Sequence, residues 1–138
     1  MKPFHIEILS PERAFYVGDV LSLVLPIADG YIGIMASHSL MMAAVVPGEV
    51  KYTLPSGETV VCAVSQGMAD VSDKGVKLLC ESVLLPSEID EAEERRRAEI
   101  ARSEMSKKQS YKDYRLSQLT FAKAMNNLRV KKHSDVNM

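Results

Sequence analysis

PSEIDEAEERRRA, Pro86 to Ala98, is where the chain changes its period. Ahead of it, apolar residues recur at every second position in short runs; from it onward they recur every three or four and are embedded in charge. Five acids, Glu88, Asp90, Glu91, Glu93 and Glu94, precede the three arginines Arg95, Arg96 and Arg97. That order suits the start of a helix, whose positive dipole end favours anions. Ser87 is expected to cap it, with Asp90 at the N3 position of an approximate capping box. Glu91–Arg95 and Glu93–Arg97 are i,i+4 pairs in the better orientation, each stabilising by only about 0.2–0.5 kcal/mol. The plainest reading of the stretch is the solvated face of a helix.

Working back toward the start, the runs read as strands. FHIEIL places Phe4, Ile6 and Ile8 on one face, VLSLVLP runs from Val20 to Pro26, and VKYTL places Val50, Tyr52 and Leu54 together. PSG (Pro55–Gly57) joins that strand to ETVVCAV, and SDKG (Ser72–Gly75) joins MADV to VKLLCE, both reading as hairpin turns. Many short strands with no helix between them imply an antiparallel sandwich or barrel.

Working forward, SEMSKKQS (103–110) is polar and reads as a turn, and a second helix is expected from about Tyr111 to Val130. Its apolar stripe is Tyr111, Tyr114, Phe121, Met125 and Leu128, with Leu119 and Ala122 flanking. The first helix has a thin apolar side of Ile89, Ala92, Ile100, Ala101 and Met105. Helices with so little to bury are marginal alone, so the hairpin should be mobile or need a partner. The expected division is a β domain over 1–86 and a helical hairpin over 87–138.

With 138 residues, 46% of them hydrophobic, the chain has matter for a real core. Its net charge of -1 is unevenly spread: residues 1–87 hold 5 Lys+Arg against 9 Asp+Glu, and from Lys107 onward 8 cations face 2 acids. The tail should be drawn to an acidic partner. Aromatics at 6%, and cations interleaved with a buried-type stripe, argue against a nucleic-acid platform. Cys62 and Cys80, with 17 residues between them and inside strand runs, read as buried thiols in a reducing compartment. With no secretory leader, no Arg-rich transit peptide and no apolar run near the roughly 20 residues a bilayer needs, a soluble cytoplasmic chain is expected.

Chemistry is scarce. His5, His38 and His133 are too scattered for a metal-ligand pair, and neither GxxxxGK[ST] nor GxGxxG occurs. An enzyme built on His38 and Ser39 would need a concave pocket around them. The residues by themselves describe a binding or structural protein.

ILSPERAFYVGDV (8–20), DGYIGIMASH (29–38), VVPG (45–48), VSQGMADV (64–71) and FAKAMNNLRV (121–130) resemble, in order and position, segments of the epsilon subunits of F-type ATP synthases. The resemblance covers essentially the whole chain. It implies a β sandwich of about ten short antiparallel strands followed by a C-terminal α-helical hairpin. It also implies a non-catalytic rotor subunit on the cytoplasmic face of the membrane, whose sandwich binds the gamma subunit and rests on the c ring. The hairpin, by the same resemblance, swings into the catalytic alpha and beta subunits and blocks ATP hydrolysis; the charge pattern of the second helix makes Arg115, Lys123 and Arg129 its expected charged contacts.

Residue by residue, Asp29–Gly30–Tyr31 matches the loop that faces the c ring, with Tyr31 where a polar or acidic residue is common. His38 matches a histidine near the gamma contact, but Ala36–Ser37 replace a usual Pro-Gly and Leu40 a usual Pro. Some relatives bind ATP through Ile/Leu-Asp-x-x-Arg-Ala at the first helix. Ile89 and Asp90 match, Glu93 and Glu94 stand in place of Arg and Ala, and Arg97–Ala98 repeats the pair one turn later. A regulatory ATP site on Ile89, Asp90 and Arg97 is thus the alternative, opposed by two acids where a guanidinium is wanted; otherwise no cofactor is expected.

Overall fold

The computed structural model describes residues 2–107 and 110–136. The chain forms two compact units, one ending at Leu84 and the other starting at Leu85. The first holds ten strands: β1 (Phe4–Leu9), β2 (Ala14–Val20), β3 (Ser22–Ile27), β4 (Gly30–Ile34), β5 (Met41–Val45), β6 (Gly48–Thr53), β7 (Thr59–Val64), β8 (Gly67–Ser72), β9 (Gly75–Cys80) and β10 (Val83–Leu84). They form two five-stranded sheets ordered β2-β1-β9-β8-β5 and β10-β7-β6-β3-β4.

The sheets face each other across a core that contains Ile6, Ile8, Leu23, Leu25, Val50, Cys62 and Leu78, none exposed at all. In β1 and β6 these residues hold the inward phase of a strand whose alternate residues are more exposed, which is why the period of two was legible there, whereas in β7 Cys62, Ala63 and Val64 are buried in succession. The β6–β7 and β8–β9 hairpins turn where the glycines were expected to turn them. At Gly75 φ is +124°, and a Cβ would lie 2.2 Å from the carbonyl oxygen of His5, so backbone conformation and neighbouring strand both require glycine.

Two details depart from the sequence reading. The pairing is not wholly antiparallel, because β1 runs parallel to β9, with Ile6 opposite Val76 and Ile8 opposite Leu78. VLSLVLP is also not one strand: Val20 closes β2 in the first sheet, and β3 starts at Ser22 in the second. Leu21 donates its backbone N–H to the Thr53 carbonyl at 2.7 Å at this corner. A hydrophobic run carries no mark of where it changes sheets, since both sides of the corner are buried.

The second unit starts with a 3-10 turn over Pro86–Glu88, followed by α1 (Glu91–Met105) and α2 (Tyr111–Val136). The cap of α1 is Asp90, whose Oδ1 accepts from the Glu93 N–H at 3.1 Å. Ser87 lies inside the 3-10 turn, where Glu88 Oε1 reaches back to the Leu85 N–H at 2.8 Å. Pro86 fixes the turn ahead of the helix and so moves the cap three residues on from the expected one.

The linking turn is shorter than SEMSKKQS suggested: α1 continues through Met105, and Ser110 Oγ caps α2 through the Asp113 N–H at 3.2 Å. Residues 108 and 109 of that stretch lie outside the described residues. Beyond Val130, α2 continues to Val136.

The buried faces differ most from expectation. In α1 the hidden residues are Glu94, Ala98 and Ala101, and in α2 they include Ala124, Asn126, Asn127 and Val130. Of the expected stripe, Phe121 and Leu128 are half-buried, while Tyr111, Tyr114 and Met125 are exposed. Among the described residues, burial in the helices thus falls on three alanines, one valine and three polar side chains rather than on the largest apolar residues.

Candidate functional site

The outward face of the first sheet has two rows of unlike chemistry. Leu9 opposes Leu79, Leu79 opposes Met68, and Met68 opposes Ala44, so an apolar ledge crosses β1, β9, β8 and β5. Leu79 and Met68 are 50% and 43% exposed. The adjoining row runs Val17, Glu7, Lys77, Asp70 and Met42, with the charges alternating in sign between two exposed apolar ends. Next to it His5, Ser72 and Lys74 help line a polar hollow of about 240 Å³.

Apolar groups on the wet phase of four neighbouring strands are the mark of a surface meant to be covered. Sequence reasoning missed this ledge. The available signal was Leu79 and Met68 standing where alternation calls for polar residues, which registers only once the strands are paired.

The loop Asp29–Gly30–Tyr31 forms the tip of the β3–β4 hairpin. Gly30 has φ +135°, and Tyr31 is 60% exposed at the edge of its sheet. His38 follows the other end of β4, about 13 Å of strand away. Its ring is tied on both sides, Nδ1 lying 2.6 Å from the Met35 carbonyl oxygen and Nε2 2.8 Å from that of Ser72. Phe4 packs on it edge to face at 5.5 Å. The half-buried imidazole therefore braces the loop after β4 against the β8–β9 turn, even with Ala36–Ser37 in place of Pro-Gly. Asp29–Tyr31 and His38 thus lie apart, beyond opposite ends of one strand.

In the helices, Ile89 is buried, Asp90 is engaged as the cap, and Arg97 is engaged by acids. Arg97 Nη1 donates to Glu94 Oε1 at 2.8 Å and its Nε lies 3.4 Å from Glu93 Oε1. The stretch is thus only partly the solvated face expected, because Glu94 points inward and is 3% exposed. Arg97 also borders an apolar cleft of about 270 Å³ between α1 and α2, walled by Ile100, Ala101, Leu116, Ser117 and Thr120.

The tail cations do not form one stripe. At 100° per residue, Arg115 and Arg129 lie about 40° apart, and Lys123 is about 80° beyond Arg115 and partly buried. Arg115 Nη1 donates to Gln118 Oε1 at 2.6 Å.

Neither cysteine is arranged as a nucleophile. Cys62 and Cys80 are free and buried; burial pushes the Cys62 thiol far above its usual value, and the Cys80 thiol up to about 12. Both are protonated at neutral pH, and the thiolate is the reactive form. Among the described residues no three His, Cys, Asp or Glu side chains gather as metal ligands, and no helix is long and apolar enough to cross a membrane.

Over residues 3–86 the chain matches the family model described as ATP synthase, Delta/Epsilon chain, beta-sandwich domain. It is similar to the ATP synthase epsilon chain of Brucella anthropi, 36% identical over 99 residues, or 72% of this chain and 73% of that one. It is similar to the ATP synthase epsilon chain of Sinorhizobium medicae, 36% identical over 116 residues, covering 84% and 87% of the two chains. In fold it is similar to a chain of the Euglena gracilis mitochondrial ATP synthase, in an assembly of OSCP, F1 and c-ring, with TM-score 0.76 at 15% identity over 97% of this chain and 81% of that one. A second likeness of fold is to a chain of the Tetrahymena thermophila mitochondrial ATP synthase central stalk and c-ring, with TM-score 0.65 at 10% identity over 94% and 97% of the two chains. Matched by the family model over more than half its length, and by relatives at about one residue in three, the chain belongs to the family of bacterial-type ATP synthase epsilon chains.

Proposed function

We propose that the chain is a non-catalytic central-stalk subunit of ATP synthase at the cytoplasmic face of the membrane, coupling the gamma subunit to the c ring, with a helical hairpin that restrains ATP hydrolysis. The observation that carries this reading is the ledge Leu9–Leu79–Met68–Ala44, an apolar strip on the outward face of a sheet backed by the core, with Leu79 and Met68 well exposed. A rotor subunit needs a surface that transmits torque without deforming, and a five-stranded sheet backed by a full core supplies it. On this reading the ledge meets the gamma subunit, His38 braces the loop after β4 at the β8–β9 turn, across the charged row from the ledge, and Asp29–Tyr31 meets the c ring.

The hairpin is read as the regulatory part because it is a separate compact unit whose basic second helix carries exposed apolar residues. Arg97 already answers two carboxylates, which supports a regulator that works without bound ATP.

The test is reconstitution with purified gamma subunit. Replacing Met68 and Leu79 together by Lys should abolish the gamma–epsilon complex while the free chain keeps its melting temperature. Unchanged gamma binding by this variant would sink the reading of the ledge. Ending the chain after Leu84 should keep gamma binding and raise ATP hydrolysis by the assembled complex; equal hydrolysis with and without the helices would remove the restraint from the proposal.

A further inference from the structure

The helices bury side chains that suit a firmly closed pair poorly. Ile100, Leu116 and Met125 stay 49%, 54% and 42% exposed, while Asn127 is 2% exposed. The Asn127 amide nitrogen is fully enclosed and, among the described residues, has no hydrogen-bond partner. Its neighbour Asn126 is equally buried but does interact. An amide nitrogen carries two donors. Enclosed without an acceptor it bears its whole desolvation cost, and that cost vanishes when the helix leaves the packed position and water reaches it.

We propose that Asn127 keeps the packed state of α2 shallow: its unpaired amide sets the balance between the packed helix and one released to a partner. The consequence for hydrolysis rests on the regulatory reading of the hairpin above; the effect on helix release does not. Local opening free energies differ across a structure, and a defect in one helix lowers that helix's opening without weakening the rest. Asn127 stands in FAKAMNNLRV between the buried Ala124 and Val130, where the helical pattern calls for an apolar residue. An apolar side chain of similar volume at this position would hold α2 down.

The experiment is amide hydrogen exchange on the isolated full chain with Asn127→Leu, which keeps the side-chain length and removes the donors. Protection of the α2 amides should rise on the order of tenfold, with β6 and β7 unchanged. Unchanged or reduced α2 protection, with the sandwich intact, overturns the proposal. Where Asn127→Leu fails to fold, Asn127→Ala decides: α2 protection equal to or above the parent's supports the proposal, despite the smaller side chain, and a tenfold loss overturns it. In the assembled synthase, Asn127→Leu should then move ATP hydrolysis toward the rate of the chain ended after Leu84. If α2 protection rises and hydrolysis stays at the parent rate in both variants, the role of Asn127 in helix release stands and the regulatory reading of the hairpin fails.

Discussion

Arg97 Nη1 donates to Glu94 Oε1 at 2.8 Å, and the two partners are unequally wet: the carboxylate side chain is 4% exposed and the guanidinium 50%. An enclosed carboxylate depends on its cation, since an unpaired buried charge costs more than the pair contributes. Arg97→Ala should therefore destabilise the helical unit by about 1–3 kcal/mol. Adding Glu94→Gln should recover much of the loss, because the charge that needed Arg97 is gone. Chemical denaturation of the four variants of this cycle, followed by helical circular dichroism, checks it; additive losses would show that the two side chains act independently.

The cap of α1 can be located by paired substitutions. Asp90→Ala should cost about 1 kcal/mol, the usual loss when an N-cap oxygen is removed, whereas Ser87→Ala should cost a few tenths at most. Exchange rates of the Ala92 to Arg95 amides in the two variants distinguish them. Equal effects would contradict Asp90 as the cap.

Glu93 supplies the acid dependence. Its hydrogen bond from Arg96 is the main reason its carboxyl is held below the usual range, the charges of Arg96 and Arg97 adding to the effect. A group with a lowered folded pKa contributes stability that is present above its unfolded value and lost as pH falls through the folded one. The helical signal should thus be level down to about pH 4.5, near the ordinary glutamate value, and decline below it. Glu93→Gln should flatten part of that decline, and molar salt should shrink it because the pair is exposed. An acid profile identical in the variant would exclude Glu93 as a contributor.

Cys62 and Cys80 give a readout of the core. Burial raises both thiols, Cys80 to about 12, so neither should react within minutes with an aromatic disulfide reagent at pH 8. Two thiols per chain should appear once guanidinium chloride unfolds the protein. A thiol that reacts at once in the native chain would place it outside the core.

The sequence by itself determined the two-part architecture. Strand period and helix period differ physically, and the change at Pro86 needs no tertiary information to be seen. It also determined the hairpin turns, because Gly75 occupies a backbone conformation other residues reach only with strain. The i,i+4 pairs Glu91–Arg95 and Glu93–Arg97 followed from spacing alone.

Only the tertiary structure decided the rest. The parallel pairing of β1 with β9 joins residues some seventy apart, and no local pattern encodes which strand lies beside which. The ledge from Leu9 to Ala44 exists only across that pairing, so its members look like unremarkable apolar residues when read singly. In the helices, whose turns offered several faces to bury, packing enclosed Ala98, Ala101 and Ala124 and left Ile100 and Met125 exposed. Periodicity names the candidates for a buried face, but competition among contacts chooses one, and that competition is settled only when the elements are packed.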